Sequence, residues 1–304
     1  MSVDLSPEPV HLYRPAVAYR ECGGGFLGRQ GRSRNVGQNP PAGAAIDFYL
    51  ADAPSEPVVI EIRDRCGEMV HLAMLSSRPE AESRAADARR GETGPPPPTP
   101  HAGMNRYYWD YRVEGPTQVP GLFVMETQGG GPMVPPGTYR VKLTVSGRDS
   151  TAPLEIRIDP RVKVSQADLE KQYRFGLEVR DRVNQIHTLV KEMRAARVAL
   201  QKARDGANAG AVDDMLARIA PIEEELVQVK STNRSAALVY PIMLDAQYGD
   251  LGNVAQSADW APPAQVYERF QQYEKQREEL FARWKGLQSE IASLTENRHV
   301  PASH

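Results

Sequence analysis

The stretch GTYRVKLTVSGRDSTAPLEIRID, which runs from Gly137 to Asp159, decides the fold class of this 304-residue chain. Apolar residues alternate with polar ones in both halves: Tyr139, Val141, Leu143 and Val145 in the first, and Leu154, Ile156 and Ile158 in the second. A period of two is the pattern of a strand that buries one face and exposes the other. The stretch therefore predicts two neighbouring strands.

Four earlier stretches also have the sequence character of β-strands. They are AIDFYLA from Ala45, PVVIEIRD from Pro57, EMVHLAML from Glu68 and GMNRYYWDYR from Gly103. Short strands with turn signals and no helices between them predict an antiparallel β-sandwich, which we place at residues 44–160. The charged, proline-rich segment near 76–102 holds almost no large apolar residues, so we expect it to be a disordered loop.

The pattern becomes helical after Ser165. Ser165 and Asp168 form a helix-capping arrangement, and the apolar residues that follow recur at helical spacing. The last helix, which begins near Pro263, carries an apolar seam in which Arg277 occupies one position. We therefore predict an elongated antiparallel helical bundle, coiled-coil-like in its seams, at residues 161–304. The whole chain is predicted to be an α+β multidomain protein.

Gly23, Gly25 and Gly28 spell the G-x-G-x-x-G of a dinucleotide-binding turn. That turn needs a buried strand before it and a helix after it, whereas here further glycines and two prolines follow. We therefore interpret residues 1–43 as a Pro/Gly-rich linker and predict no cofactor. Cys22 lies in this linker and Cys66 in a later turn, and the sequence leaves open whether the two form a disulfide.

Charge and hydropathy argue against two classes of partner. The net charge of -2 gives no electrostatic reason to expect nucleic acid. No window approaches the roughly 20 apolar residues that span a bilayer, so we expect no membrane span. Residues 1–20 lack an apolar core, so we expect no signal peptide.

No pattern of catalytic or metal-binding residues stands out. The histidines form no ligand pair such as H-x-x-x-H, and no G-x-S-x-G motif occurs. We interpret Glu223, Glu224 and Glu225 as a charged helix face, the usual role of such runs. The sequence therefore predicts no catalytic residue and no metal site, although paired glycosidase carboxylates cannot be recognised from spacing alone.

The β region contains residues with predicted structural roles. We expect Trp109 in the core and Asp110 as a partner for nearby backbone amides. Pro136 and Gly137 preset a turn into the strand of Tyr139. Three further tyrosines, some of which alternation places outside, are candidates for a carbohydrate-binding surface: Tyr107, Tyr108 and Tyr111.

Five stretches together resemble a known family. They are GQNPPAGAAIDFYL, AGMNRYYWDYR, VPPGTYRVKLTV, IRIDPRV and NVAQSADWAPPAQVYE. As a set they resemble the C-terminal half of large bacterial sortilin-like proteins, which are also labelled BNR-repeat or glycosyl-hydrolase-like proteins. The resemblance covers about residues 36–296. The β region also resembles the Ig-like domain of the flagellar hook-capping protein, which implies that the predicted antiparallel β-sandwich is Ig-like.

The resemblance implies a β-propeller of neuraminidase-type repeats before the sandwich. No S-x-D-x-G-x-T-W repeat box occurs here, so residues credited to the family's propeller have no counterpart in this chain. Residues 1–20 look like the tail of a last propeller blade entering the linker. The resemblance also suggests a periplasmic or extracellular location, and it leaves open whether the chain is a truncated or split gene product.

Two hypotheses about function follow. The first, which we favour, is a non-catalytic interaction module that binds a protein partner or the cell envelope. The partner would be a β-propeller domain, or a second copy of the chain through the helical bundle. The second is an enzyme that hydrolyses glycosidic or peptide bonds, for which Asp110 and Glu126 are the carboxylates to test. A carbohydrate-binding sandwich is a third alternative.

Overall fold

The computed structural model of the chain describes residues 8–20, 43–76, 98–127, 130–205 and 208–296. It is a mixed α and β structure with antiparallel and mixed sheets. The Gly23–Gly28 motif, Cys22 and most of the predicted disordered loop (residues 77–97) lie outside the described residues.

Within the described residues, eight strands form two sheets. Strands β1 to β8 are Val10–Leu12, Ala18–Arg20, Ala44–Leu50, Val58–Arg63, Met69–Leu75, Gly103–Trp109, Gly137–Val145 and Arg148–Ile158. The first sheet has the order β1-β3-β6, and its neighbours are antiparallel. The second has the order β2-β8-β7-β4-β5, in which β2 runs parallel to β8 and the other neighbours are antiparallel.

The hairpin of β7 and β8 carries the alternation that the sequence shows. Its register runs from Gly137 opposite Ile156 to Val145 opposite Arg148. The turn residues Ser146 and Gly147 have φ angles of 47° and 75°, as a two-residue turn between twisted strands requires. The buried side of the hairpin consists of Tyr139, Val141, Leu143, Val145, Ala152, Leu154 and Ile156.

Both sheets contribute to one hydrophobic cluster in which alternate residues of each strand are buried. Its fully buried members include Ile46 and Phe48 on β3, Ile60 on β4, Leu143 on β7 and Trp109 on β6. Burying an aliphatic or aromatic side chain of this size contributes about 1.5–3 kcal/mol relative to exposing it. The cluster is therefore the main source of stability of the β part.

Two of the strands lie within residues 1–43, which the sequence pattern predicts to be a linker. Val10 pairs with Leu50 across β1 and β3, and Ala18 pairs with Ile156 across β2 and β8. Strands β1 and β2 are three residues long, too short for a period of two to be recognised. Part of the predicted linker is therefore part of the sheets.

The helices follow the strands in sequence. Helices α1 to α5 are Gln166–Ala203, Ala209–Leu226, Arg234–Ala237, Leu244–Ala255 and Ala264–Glu296. Helix α1 begins after Ser165, whose hydroxyl oxygen accepts a hydrogen bond from the backbone N–H of Asp168 at 3.1 Å. Within the described part of the chain, no helix combines the length and the apolar character that crossing a bilayer would need.

The chain divides into two compact units that are interleaved in sequence. Unit 1 comprises Met1–Gly115, Gly129–Leu177 and Ala255–Pro262, and unit 2 comprises Pro116–Gln128, Glu178–Val254 and Pro263–His304. Unit 1 holds the sheets, and unit 2 holds most of the helical residues. Unit 2 also includes a segment that lies between β6 and β7 in the sequence.

Candidate functional site

The two carboxylates of the enzyme hypothesis belong to different units. In unit 1, the Asp110 side chain is exposed, and its Oδ1 atom accepts a hydrogen bond from the backbone N–H of Arg112 at 3.1 Å. In unit 2, Glu126 is half-buried, and burial raises the pKa of its carboxyl, with smaller contributions from Asp245 and Asp250. Asp110 therefore shapes a turn, and the electrostatic surroundings of Glu126 are acidic.

Glu223 corrects the interpretation of residues 223–225 as a charged helix face. Its side chain is buried on α2, and its carboxylate accepts hydrogen bonds from Arg194 at 2.8 Å and from Arg197 at 2.7 Å. Both arginines lie on α1, and Arg194 also donates to the carbonyl oxygen of Pro120. Charge-assisted pairs of this kind offset the cost of burying a carboxylate, so Glu223 joins the two helices.

No metal site is visible among the described residues. They contain no group of three or more His, Cys, Asp or Glu side chains arranged to hold an ion. Cys66 is a free, exposed thiol. His187 is fully buried in unit 2 and hydrogen-bonds to Thr117 and Asp245.

Trp109 is fully buried in unit 1. Its indole N–H donates to the carbonyl oxygen of Arg112 at 2.8 Å. The rings of Tyr111 and Tyr139 lie edge-on to it, with centroids 6.0 and 5.8 Å away, and the His71 ring stacks at 5.9 Å. An aromatic cluster with a satisfied polar atom stabilises a core.

The turn before β7 is fixed by Tyr139. Its hydroxyl donates to the carbonyl oxygen of Pro135 at 2.6 Å, and Pro136 and Gly137 lie between the two partners in sequence. Burial raises the pKa of the Tyr139 hydroxyl far above its usual value, so the group stays protonated and keeps donating. The tyrosine therefore anchors the entry of the strand.

The three candidate surface tyrosines have different environments. Tyr107 is partly buried against the core, and its hydroxyl lies 2.6 Å from Nε2 of His71. Tyr108 lies beside Arg106, whose guanidinium is 6.0 Å from the ring centroid. Neither side chain is fully exposed.

Tyr111 is a correction to the predicted surface, because its side chain is buried. The chain leaves the register of β6 at Asp110, and Tyr111 has a φ of 66°, a left-handed conformation that interrupts the alternation of the strand. The ring packs against Trp109. Tyr111 is therefore a core residue and does not belong to an exposed binding face.

The two most exposed of the large apolar side chains lie in one short segment of unit 2. Leu238 and Val239 are 71% and 75% exposed, and Tyr240 and Ile242 are exposed as well. We call residues 238–242, with the sequence LVYPI, the apolar segment. Single exposed apolar residues are ordinary, whereas a contiguous group of them marks an interaction surface.

The backbone of the apolar segment is held in place. Asn233 caps helix α3, since its side chain accepts from the N–H of Ala236, and the N–H of Val239 donates to the carbonyl oxygen of Ala236 at 3.0 Å. The Gln228 side chain donates to the carbonyl oxygen of Pro241 at 3.1 Å, and Lys230 lies 5.6 Å from the Tyr240 ring centroid. The backbone of the apolar segment is therefore already ordered, so binding a partner would cost little additional conformational entropy there.

Two further apolar surfaces occur. On β5, an edge strand, the side chains of Met69, Leu72 and Met74 are exposed. In unit 2, a groove of about 560 Å³ between α1 and α5 is lined by residues that include Leu189, Phe281 and Trp284.

Sequence reasoning missed the apolar segment as a site. The stretch around it reads only as a mildly apolar loop and short helix. Four apolar residues within five, next to a proline and without helical spacing, were the available signal. A run of this length is equally typical of a buried strand, so exposure could be found only from the structure.

Comparisons of the chain with protein-family models, with curated proteins and with solved structures found no match. The function has to be argued from the residues of the chain and their geometry.

Proposed function

We propose that the chain is a non-catalytic interaction module, the accessory region of a sortilin-like, BNR-repeat type protein. Its unit 2 binds a protein partner through the apolar segment. The partner that we propose is a β-propeller of neuraminidase-type repeats, since the family that the sequence resembles carries one. The exposure of Leu238 and Val239 is the observation that carries the proposal.

The energetics of the apolar segment favour a buried state in a complex. Burying apolar surface contributes about 25 cal/mol per Å², so covering two large aliphatic side chains and a tyrosine contributes several kcal/mol. Interface hot spots are enriched in aromatic residues, and Tyr240 provides one at the centre of the segment. The fixed backbone lowers the entropic cost of association.

The proposed architecture is an Ig-like β-sandwich joined to an elongated antiparallel helical bundle. The two sheets and their common hydrophobic cluster support the sandwich. The lengths of α1 and α5, which have 38 and 33 residues, support the bundle. Apolar residues repeat at steps of three and four along α5, where the buried residues are Val266, Phe270, Leu280, Trp284, Leu287 and Ile291.

Replacing Leu238 and Val239 by serine is expected to weaken binding to a co-expressed propeller at least tenfold. Each substitution removes an exposed apolar side chain without touching the core, so the free energy of unfolding should change by less than about 0.5 kcal/mol. Size-exclusion chromatography with light scattering measures complex formation. Val198→Ser, which alters another exposed valine on α1, is the matched control and should bind as the wild type does.

Three outcomes would count against this assignment. If the wild-type chain forms no complex with the propeller, the propeller is not the partner. If the double variant binds the propeller as tightly as the Val198→Ser variant does, the apolar segment is not the binding site. Self-association that depends on Leu238 and Val239 would instead make a second copy of the chain the occupant.

The enzyme alternative gives a separate prediction. Purified protein is expected to release no chromophore from chromogenic glycosides above the rate of buffer alone, and Asp110→Asn and Glu126→Gln are expected to behave identically. Asp110 is engaged in a turn, and no second carboxylate of unit 1 is paired with it in the described contacts. Turnover that either variant abolishes would establish a hydrolase and contradict the non-catalytic proposal.

A further inference from the structure

Unit 2 holds an irregular segment against its helices by many hydrogen bonds. We call residues 116–127 the strap. Its backbone bonds to four residues outside it: Asn184, Arg194, Ser231 and Asn253. A fifth attachment runs from the Thr117 carbonyl to His187, and it differs from the others because its donor is a titratable ring.

Both ring nitrogens of His187 face oxygen atoms. Nδ1 lies 2.5 Å from the carbonyl oxygen of Thr117, and Nε2 lies 3.1 Å from Oδ2 of Asp245. The other carboxylate oxygen of Asp245 accepts from the backbone N–H of Ala246 at 2.7 Å. The His187 and Asp245 side chains are 0% and 1% exposed, so water cannot replace any of these partners.

These contacts determine how many protons the His187 ring and the Asp245 carboxyl group hold together. A carbonyl oxygen can only accept, so Nδ1 must carry a hydrogen. A neutral imidazole has one N–H, which would leave the Nε2 lone pair facing the lone pairs of the carboxylate. The contact at 3.1 Å is attractive only if a further proton lies between the two atoms, and that proton belongs on Nε2, because imidazole is a stronger base than a carboxylate.

We propose that the His187–Asp245 pair holds this additional proton and that the proton locks the strap onto the helices of unit 2. When the pH rises and the proton leaves, the ring can satisfy either Thr117 or Asp245 but not both. The buried carboxylate then loses its partner, and the attachment at Thr117 weakens. The pair is therefore a pH-sensitive lock.

The charged groups around the pair are carboxylates. Asp245 faces the ring directly from α4, and Glu126, on the strap, interacts electrostatically with Asp245 and with Asp250. Among the described residues, the basic side chain in contact with the Asp245 carboxylate is the His187 ring.

The sign of the pH dependence follows from proton linkage. An exposed histidine in an opened strap loses its proton near pH 6.5, so opening the proposed proton-holding pair above that pH releases one proton. The contribution of the pair is therefore fully present below about pH 6.5 and falls as the pH rises above it. Linkage of one proton changes the opening equilibrium by up to tenfold per pH unit.

The variant Asp245→Asn keeps the hydrogen bonds around His187 but no longer requires the additional proton. The asparagine amide can donate to the bare Nε2 of a neutral ring, while its oxygen still accepts from Ala246, so every partner stays satisfied without the extra proton. The control is Glu126→Gln, which removes a nearby carboxylate that does not touch the ring. Both variants keep the size and shape of the side chain.

Two measurements on the full chain test the lock. With ¹⁵N-labelled histidine at about pH 6, we expect both ring nitrogens of His187 to be protonated in the wild type and in Glu126→Gln, and one to be bare in Asp245→Asn. The amide of Phe123, which donates to the Ser231 carbonyl at 2.6 Å, reports strap opening by hydrogen exchange. The ratio of its exchange rates, wild type to Asp245→Asn, should rise by up to tenfold per pH unit above about pH 6.5.

A bare ring nitrogen in the wild type at that pH would overturn the proposal, and so would a rate ratio that does not change with pH. If Asp245→Asn failed to fold, the ¹⁵N spectrum of the His187 ring in the wild type would still show whether both ring nitrogens are protonated. A change in the Glu126→Gln ring spectrum as large as that in Asp245→Asn would assign the proton to the acidic surroundings and contradict the pair.

Discussion

Trp109→Ala is expected to lower the free energy of unfolding of unit 1 by about 3–5 kcal/mol. The side chain is fully buried, so the substitution opens a cavity that neighbouring rings cannot fill without moving. It also leaves the carbonyl oxygen of Arg112 without its indole donor. Removing the edge-on contacts with Tyr111 and Tyr139 adds to the loss. Urea unfolding followed by circular dichroism measures the change.

Trp260 gives the matched control within the same unit. Its side chain is 48% exposed, so Trp260→Ala should cost less than about 1 kcal/mol. The hydrogen bond that Gln172 donates to the Trp260 carbonyl involves the backbone and survives the substitution. Equal losses for the two variants, or a loss below about 1 kcal/mol for Trp109→Ala, would contradict a core role for Trp109.

The strands that carry a full alternation could be predicted from the sequence. Residues 58–63 and 137–145 each present three or more apolar residues on one side, and both form strands with that side buried. The same periodicity rule predicts the helical residues after Ser165. Local pattern is sufficient in these elements because burial and secondary structure have the same period.

The pattern fails where a residue's role depends on distant partners. Glu223 looks like its exposed neighbour Glu224, and its burial depends on arginines almost thirty positions away. Residues 116–127 have no periodicity, yet they belong to unit 2, where they hydrogen-bond to side chains on helices much later in the chain. The exposure of Leu238 likewise could not be read from its apolar character. These features, and not the strands, make up the candidate sites.

Arg20 is the strongest example, and Arg20→Met is expected to cost about 3–5 kcal/mol of the stability of unit 1. The guanidinium is buried and pairs with Asp259, whose side chain is 4% exposed. It also donates to Oε1 of Gln172 at 2.7 Å and to the Val134 carbonyl at 3.2 Å. Methionine retains the apolar volume but leaves a buried carboxylate uncompensated.

The network extends through Gln172. Its amide nitrogen lies within 3.1 Å of three carbonyl oxygens in the segment 255–262, those of Ala255, Ala258 and Trp260. Arg20 orients the amide by donating to its oxygen. The substitution therefore loosens strand β2, the start of α1 and this segment together, which urea unfolding and hydrogen exchange of unit 1 would both detect.

A double-mutant cycle distinguishes a buried ion pair from a packing effect. Asp259→Asn removes the carboxylate charge at nearly constant shape. In the Asp259→Asn background, Arg20→Met therefore leaves no buried carboxylate without a partner, and it should lower the free energy of unfolding by at least about 1 kcal/mol less than it does in the wild type. Arg106→Met, which breaks an exposed pair with Asp47, is the control and should cost less than about 1 kcal/mol. If Arg20→Met cost no more than Arg106→Met, or if the two effects were additive, the guanidinium would be replaceable by any side chain of its volume. An arginine from the predicted linker would then have no special part in holding together segments more than two hundred residues apart.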